Sequence, residues 1–331
     1  MSLPLLVARS LVLLSAPVLL QLRLGTSPRY NLSQKGNFMP EQNVVGPTSH
    51  YYYSQRLKLH YVDWGNPSKP LLILIHGGRD HARNWDWVAQ ALRDDYHIIA
   101  PDLRGHGDSE WARGSEYAMV EYVVDIAQLL LQLDTFPVTL IGHSLGGGIV
   151  LQYTGVYPEK VQKVVAIEGL GPPPHMIQQQ PKHAYERMQV WISQMRDLAG
   201  RLPRRYKTLE DAVNRMREAN PRLSEEQAYH LTLHGINRNE DGTYTWKFDN
   251  YVRAQSPYRF NLDDAWEIWR RIICPTLLFR GAESWASDPE KDGRAKAFRS
   301  VKVITIPNAG HWVHHDQLDL FLKSVREFLN S

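Results

Sequence analysis

The chain has 331 residues, of which 43% are hydrophobic and 22% are charged, and its formal net charge is +3. This composition supports a large apolar core and excludes a globally disordered chain, and the small charge excess predicts no nucleic-acid partner. The single cysteine, Cys274, excludes an intramolecular disulfide. Because Cys274 lies in the apolar run IICPTLLF, we expect a buried and unreactive thiol.

Residues 1–29 form an apolar leader without acidic side chains, and the first acidic residue is Glu41. The leader favours a secretory signal or a membrane anchor, which would associate the protein with a membrane. An acid-free segment that carries arginine also fits a mitochondrial transit peptide, which is the alternative. Asn31 begins a glycosylation sequon that matters only in a secreted chain. The polar residues 30–49, which include glycine and proline, are interpreted as a linker.

Apolar runs and helical periodicity alternate through the rest of the chain. Short apolar runs bounded by Gly, Pro or polar residues predict strands in these stretches: two within 50–65, then 70–78, 96–109, 136–144, 161–174, 274–281 and 301–310. Apolar residues at helical spacing predict helices at 85–95, 118–133, 145–158 and 316–330. Strands that alternate with helices predict an α/β fold with a mostly parallel, doubly wound sheet.

Residues 172–272 interrupt this alternation. They contain helical stretches and no convincing core strand, so we interpret them as a helical cap inserted into a core formed by residues 50–171 and 273–331. The cap carries six aromatic side chains that we single out: Trp191, Trp246, Phe248, Tyr251, Trp266 and Trp269. Taken one by one, each is expected to pack in the protein core. Taken as a group, we expect some of them to line an apolar pocket.

A serine stands at the junction of a predicted strand and a predicted helix, in the order Gly142-His-Ser144-Leu-Gly146. A sharp turn at such a junction forces Ser144 into a strained backbone and exposes its hydroxyl above the edge of the sheet. A side chain at residue 142 or 146 would crowd that turn, which explains both glycines. The following helix points its N-terminus at the hydroxyl and would stabilise developing negative charge. The pattern therefore predicts a serine nucleophile.

Four motifs follow predicted strands within residues 50–330: HGG at 76–78, DLRGHGDS at 102–109, GHSLGG at 142–147 and NAGH at 308–311. With these motifs the chain resembles the α/β-hydrolase family, and its lidded layout is similar to the serine-hydrolase-like branch of that family. The resemblance implies the α/β-hydrolase fold with an inserted helical cap and a nucleophile, and it implies little about the substrate.

The resemblance also implies that a general base follows the last strand, where the chain reads PNAGHWVHH. His311 comes directly after a Gly-bearing turn and fits that position. His314 and His315 are expected at the start of the last helix, in solvent or in local contacts. We interpret His76 as a turn residue, and His143 as a structural residue that points away from the site on the pleat of its strand.

A catalytic histidine needs a carboxylate that fixes its tautomer. Glu168 ends the apolar run VVAIE after the nucleophile helix, where some relatives in the family carry the acid, and is the preferred candidate. Most relatives instead carry the acid after the strand TLLFRG, so the nearby Asp288 and Glu283 stay as alternatives. The resemblance implies that the backbone N–H groups of Gly78 and Leu145 form the oxyanion hole.

A serine nucleophile predicts attack on a carbonyl and an acyl-enzyme, so we expect a serine hydrolase that cleaves a carboxylic ester of an apolar small molecule. No cofactor and no metal are expected, since the histidines lack a spacing such as H-E-x-x-H. The DLRGHGDS segment, with Asp102, Arg104 and His106, is interpreted as a structural turn. Two alternatives stay open: a cofactor-free oxygenase or lyase of the same fold, and a receptor that binds a ligand and turns it over slowly.

Overall fold

A computed structural model describes residues 46–113, 117–179, 181–254, 256–258 and 260–331. The predicted leader, most of the predicted linker and the sequon at Asn31 lie outside these residues. Within them, the first strand begins at Thr48, two residues before the predicted start of the core at residue 50. None of the helices in these ranges is long and apolar enough to cross a membrane.

Eight strands form one sheet in the order β1-β2-β4-β3-β5-β6-β9-β10, and two short strands form a separate hairpin. The strands are β1 Thr48–Ser54, β2 Leu57–Asp63, β3 Leu71–Ile75, β4 His97–Pro101, β5 Val138–His143, β6 Val161–Ile167, β7 Ile236–Arg238, β8 Tyr244–Trp246, β9 Thr276–Gly281 and β10 Val301–Ile306. Strands β1, β2 and β4 pair antiparallel, and the pairs from β4 through β10 along the sheet are parallel. The predicted mostly parallel α/β sheet is confirmed.

Helices follow most of the parallel strands. They are α1 Asp86–Leu92, α2 Met119–Leu133, α3 Leu145–Val156, α4 Pro174–Gln179, α5 Ala184–Ala199, α6 Leu209–Ala219, α7 Glu225–Gly235, α8 Leu262–Arg270, α9 Val313–Asp316 and α10 Leu318–Leu329. The helices predicted from 3.6-residue periodicity are present with their ends shifted by a few residues, which is the usual error for element boundaries.

Two apolar layers enclose the sheet. In β3, Leu71, Ile73 and Ile75 face a cluster that includes residues of α2, α3 and α8, whereas Leu72 and Leu74 face a cluster that includes residues of α1 and α10. Side chains alternate across a strand, so a run of five apolar residues is explained by burial on both faces. Cys274 is buried in the first cluster, and burial raises the pKa of its thiol to about 11, which confirms the predicted core position.

Residues 172–272, called the insert below, lie between β6 and β9 and hold α4 to α8 and the β7–β8 hairpin. The hairpin was not predicted, since strands of three residues carry too little alternation to be recognised. Helix α8 packs against α3, where a Cβ on Gly155 would lie 2.3 Å from the Ile268 carbonyl oxygen. Trp269 is buried on α8 beside Phe298. The division of the chain into cap and core at residues 171 and 273 stays a prediction.

The start of the insert is held by a buried arginine. The guanidinium of Arg294 donates to the carbonyl oxygens of Leu170 (3.2 Å) and Gly171 (3.3 Å), just before the insert begins. It is itself held by Asp292, with N–O 2.8 Å, and by the hydroxyl of Ser287 at 2.9 Å. The loop after β9 therefore fixes the first residues that leave β6.

Candidate active site

Ser144 occupies a tight strand-to-helix turn between β5 and α3. Its backbone has φ 53° and ψ −112°, a positive-φ conformation that is costly for a residue with a side chain and that is found at functional sites. A Cβ on Gly142 would lie 2.3 Å from the carbonyl oxygen of Gly146. A Cβ on Gly146 would lie 2.2 Å from the carbonyl oxygen of Ile75. The turn therefore excludes side chains at both positions, as the sequence predicts.

We expect Gly146→Ala to destabilise the protein by about 3 kcal/mol, at the upper end of the usual cost of overpacking, because its new methyl group would meet backbone that cannot rotate away. Gly78→Ala is the matched control, since a Cβ on Gly78 has no heavy atom within 4 Å. Urea unfolding of both variants measures the difference. Equal stability of the two variants would contradict the crowding argument.

Glu168 directly follows β6, the strand next to β5, and its own φ is 52°. Its carboxylate is completely buried and accepts three hydrogen bonds. The backbone N–H of Gly281 donates to Oε1 at 2.8 Å, and the Ser284 hydroxyl donates to Oε2 at 2.5 Å. The third donor is Nδ1 of His311, which lies 2.8 Å from Oε2. The structure therefore brings Glu168 and His311 together as an acid–imidazole pair.

The two alternative acids are placed with cationic side chains instead. Asp288 lies 3.9 Å from both Arg280 and Lys291. Glu283 is half exposed and forms an ion pair with Arg222 of the insert. Their carboxylates thus have partners other than His311.

Ser284 is a site residue that the sequence did not predict. It stands in the loop after β9, where most relatives carry the acid, and here its hydroxyl donates to Glu168. The signal in the sequence was that the loop carries Ser284 at the place where most relatives carry the acid. A small hydroxyl residue at that place leaves room for a carboxylate from the end of β6. The contact joins two residues that are 116 positions apart, so no local pattern could reveal it.

The segment His76-Gly77-Gly78 packs against Ser144. A Cβ on Gly77 would lie 3.3 Å from the Cβ of Ser144, so the segment approaches the serine as closely as a glycine allows. His76 holds the segment in place: its Nδ1–H donates to the Gly77 carbonyl oxygen at 2.7 Å, and its Nε2 accepts from the Leu103 N–H at 3.0 Å. Burial lowers the pKa of His76 to about 4, so it is neutral at pH 7 and serves as a turn residue.

Asp102 of the DLRGHGDS segment is the centre of a buried polar cluster. Its carboxylate accepts from Nδ1–H of His60 at 2.7 Å and from the N–H groups of Ala82 at 2.6 Å and Asp108 at 2.9 Å. Burial raises the pKa of Asp102, but the hydrogen bond and charge of His60 outweigh it and hold the pKa well below its usual range. The carboxylate ties β2 to two loops, which fits the structural role that the sequence suggests.

The prediction for His143 is corrected in one respect. His143 does not point away from the predicted base: its Nε2–H donates to the carbonyl oxygen of His311 at 2.9 Å, and the two ring centroids are 4.8 Å apart. Its position at the end of β5 directs the ring under the loop that carries His311. Burial lowers the pKa of His143 well below its usual value, so the ring supports His311 as a neutral group.

His314 and His315 were expected in solvent or in local contacts, and this expectation is wrong. His314 is 1% exposed and its Nε2–H donates to Oδ1 of Asn84 at 2.7 Å. His315 is 6% exposed and packs edge-on against Trp87. The short helix α9 turns both rings inward toward α1, a long-range contact that periodicity in the last helix does not indicate.

The six aromatic residues that the sequence analysis singles out in the insert divide into three groups. Trp191 and Tyr251 line a pocket together with Tyr117, Ala118, Met195, Ala254 and Ser256. Trp246 stacks on Phe248, and Trp266 and Trp269 pack against the core from α8. Tyr117 and Ala118 of this pocket directly precede α2, whose first residue, Met119, has its Cε 3.0 Å from the place that a Cβ on Gly148 of α3 would take.

Comparison with known proteins places the chain in a family. A family model described as alpha/beta hydrolase fold matches residues 70–318, and the chain belongs to this family. The chain is 26% identical over 270 residues to Esterase YbfF of Escherichia coli, covering 78% of this chain and 92% of that protein. It is also 26% identical over 276 residues to a serine hydrolase-like protein of Danio rerio, covering 80% of this chain and 83% of that protein.

Solved structures agree on the fold. The thioesterase domain from the curacin biosynthetic pathway matches with a TM-score of 0.73 at 23% identity, covering 85% of this chain and 99% of that one. At this identity the match shows the fold alone.

Proposed function

We propose that the chain is a serine esterase that forms an acyl-enzyme at Ser144. The observation that carries the proposal is the 2.8 Å hydrogen bond from His311 Nδ1 to the buried Glu168 carboxylate, at the end of the strand next to Ser144. The family match and the names of the relatives support a hydrolase of the esterase type.

The proposed reaction has two halves, acylation of Ser144 and deacylation by water, and the same catalytic groups act in both. Oγ of Ser144 attacks the ester carbonyl carbon and its proton passes to Nε2 of His311, while Glu168 stabilises the imidazolium through Nδ1. The oxyanion accepts hydrogen bonds from the N–H groups of Leu145 and Gly78. The alcohol leaves with the proton from His311. Water, deprotonated by the same imidazole, then attacks the acyl carbon, and the imidazolium returns the proton to Oγ of Ser144 as the acyl–oxygen bond breaks and the carboxylic acid is released.

We also propose that the acyl group of the ester substrate is apolar. The pocket formed by Trp191, Met195, Tyr251 and Tyr117 is lined mostly by aromatic or apolar residues, and Met119, which follows its Ala118, packs near Gly148 of α3. Pockets that bind small molecules are largely apolar with a few polar groups, and this one includes only Ser256 as a small hydroxyl residue. We infer that it receives the acyl chain.

A fluorophosphonate probe followed by an ester series tests the proposal. We expect rapid labelling of the native chain, no labelling of Ser144→Ala, and loss of at least about 10⁴-fold in ester hydrolysis in that variant. In the native chain kcat/KM should rise with acyl length. A labelled serine without ester turnover would favour the slow receptor, and oxygen consumption on a heterocyclic substrate would favour the oxygenase. A flat response to acyl length would overturn the apolar pocket.

A further inference from the structure

Three potential metal ligands, none of them among the residues proposed for catalysis, converge where the insert meets the core. Asp86 is the first residue of α1, and His230 and His234 lie one turn apart on α7. One ligand atom from each lies within 4.8 Å of the other two. His230 Nε2 is 3.1 Å from Asp86 Oδ2, and the two imidazole centroids are 4.6 Å apart.

The donor set has a definite chemical preference. Two imidazoles at positions i and i+4 of one helix with one carboxylate suit Zn²⁺ and neighbouring first-row divalent metals, and not Mg²⁺ or Ca²⁺, which prefer oxygen ligands. Tetrahedral Zn²⁺ holds its ligands about 3.4 Å apart, so Asp86 and His230 are already close enough, and His234 needs to approach them by at most about 1.4 Å.

One cation opposes binding. The guanidinium of Arg83 donates to both oxygens of Asp86, with Nε–O distances of 2.9 and 2.7 Å. A metal ion must therefore take one carboxylate oxygen from Arg83. The side chain of Arg83 is 27% exposed, so it is partly in contact with solvent. This competition predicts that binding strengthens when the arginine is removed.

The other group with comparable spacing, His60, Asp102 and Asp108, is a weaker candidate. Asp102 already accepts from His60 and from two backbone N–H groups, so its oxygens are occupied as hydrogen-bond acceptors. Asp86 differs, since its carboxylate is held by side chains that can rotate.

We propose that Asp86, His230 and His234 bind one Zn²⁺ or similar first-row divalent ion, which fastens α7 of the insert to α1 of the core. Three protein ligands leave a fourth position for water. The residues are distinct from Ser144, His311 and Glu168, so the site does not depend on the proposed esterase activity.

The test uses the full chain without a polyhistidine tag, freed of metal by a chelator and titrated with Zn²⁺ in a calorimeter. We expect one equivalent to bind and to raise the melting temperature. His234→Gln should weaken binding at least about tenfold, and Arg83→Gln should strengthen it about tenfold. Co²⁺ added in place of Zn²⁺ should give the intense visible absorption of a four-coordinate site in the native chain and in Arg83→Gln, and this absorption should be lost in His234→Gln.

His183→Gln is the matched control, since His183 is an exposed histidine before α5 and lies outside the cluster. It should bind Zn²⁺ as the native chain does. Absence of saturable binding would overturn the proposal, and so would equal binding by His234→Gln. Both results leave the esterase proposal unaffected, because the readouts are binding and melting temperature.

Discussion

Glu168→Gln is expected to lower kcat for ester hydrolysis by about 10⁴-fold, the loss seen when the acid of such a triad becomes an amide. The carboxylate accepts from Gly281 N–H through Oε1, and from Ser284 and His311 through Oε2. An amide keeps one acceptor oxygen. If that oxygen stays on Gly281, the new NH₂ group faces Nδ1–H of His311, and the imidazole must adopt the tautomer that cannot accept a proton from Ser144.

Asp288→Asn and Glu283→Gln are the matched controls, because both acids pair with cationic side chains. Each should retain kcat within a few-fold of the native value. The three variants are compared by steady-state kinetics after urea unfolding shows that each is folded. Loss of turnover in Asp288→Asn with normal turnover in Glu168→Gln would assign the acid to the loop after β9.

Unfolding near pH 5 is the second expected result. Burial lowers the pKa of His76 to about 4 and of His106 and His315 to about 3. Since these folded-state values lie below the unfolded value of about 6.5, the unfolded state binds more protons in acid. Their contribution is fully present above pH 6.5 and is lost as the pH falls toward 4, at about 1.4 kcal/mol per histidine and pH unit.

At pH 5 each of these three histidines lowers the free energy of unfolding by about 2 kcal/mol. Their sum approaches the total free energy of unfolding of a typical domain, about 5 to 15 kcal/mol. The lowered pKa values of His143 and His314 act in the same direction. Asp80 acts in the opposite direction, since burial raises its pKa to about 8 and its contribution to stability grows as the pH falls below 8. One carboxyl offsets only part of the effect of five imidazoles.

Urea unfolding followed by circular dichroism between pH 7.5 and 4.5 measures the slope of stability against pH. His106→Phe replaces a titrating ring by a ring of similar volume that does not titrate. It should reduce this slope by the amount that corresponds to about one proton fewer taken up on unfolding. His183→Asn changes an exposed histidine and should leave the slope as it is. Stability that stays constant from pH 7 to pH 5 would contradict the prediction.

The sequence revealed those features that depend on neighbouring residues. The alternation of apolar runs and helical periods predicted the sheet and the helices on its faces. The strained turn at Ser144 was predictable because Gly142 and Gly146 bracket it within five residues. Even the choice of Glu168 had a local basis, since a carboxylate that ends a buried strand needs a cationic or hydrogen-bonding partner.

Long-range contacts account for the failures. The ring of His143 lies under a loop 168 residues away, and His314 bonds to Asn84 across 230 residues. His230 and His234 are four residues apart in the sequence, but only the folded structure places Asp86 of α1 beside them. Such contacts depend on how elements pack, which neither periodicity nor composition records.

The guanidinium of Arg294 has a mechanical consequence. It donates to the two carbonyl oxygens that lie two and three residues after Glu168, in the segment that connects β6 to the insert. A rearrangement that begins farther along the insert must break these bonds before any pull is transmitted to Glu168. While these bonds hold, a shift of the insert is therefore not transmitted along the chain to Glu168.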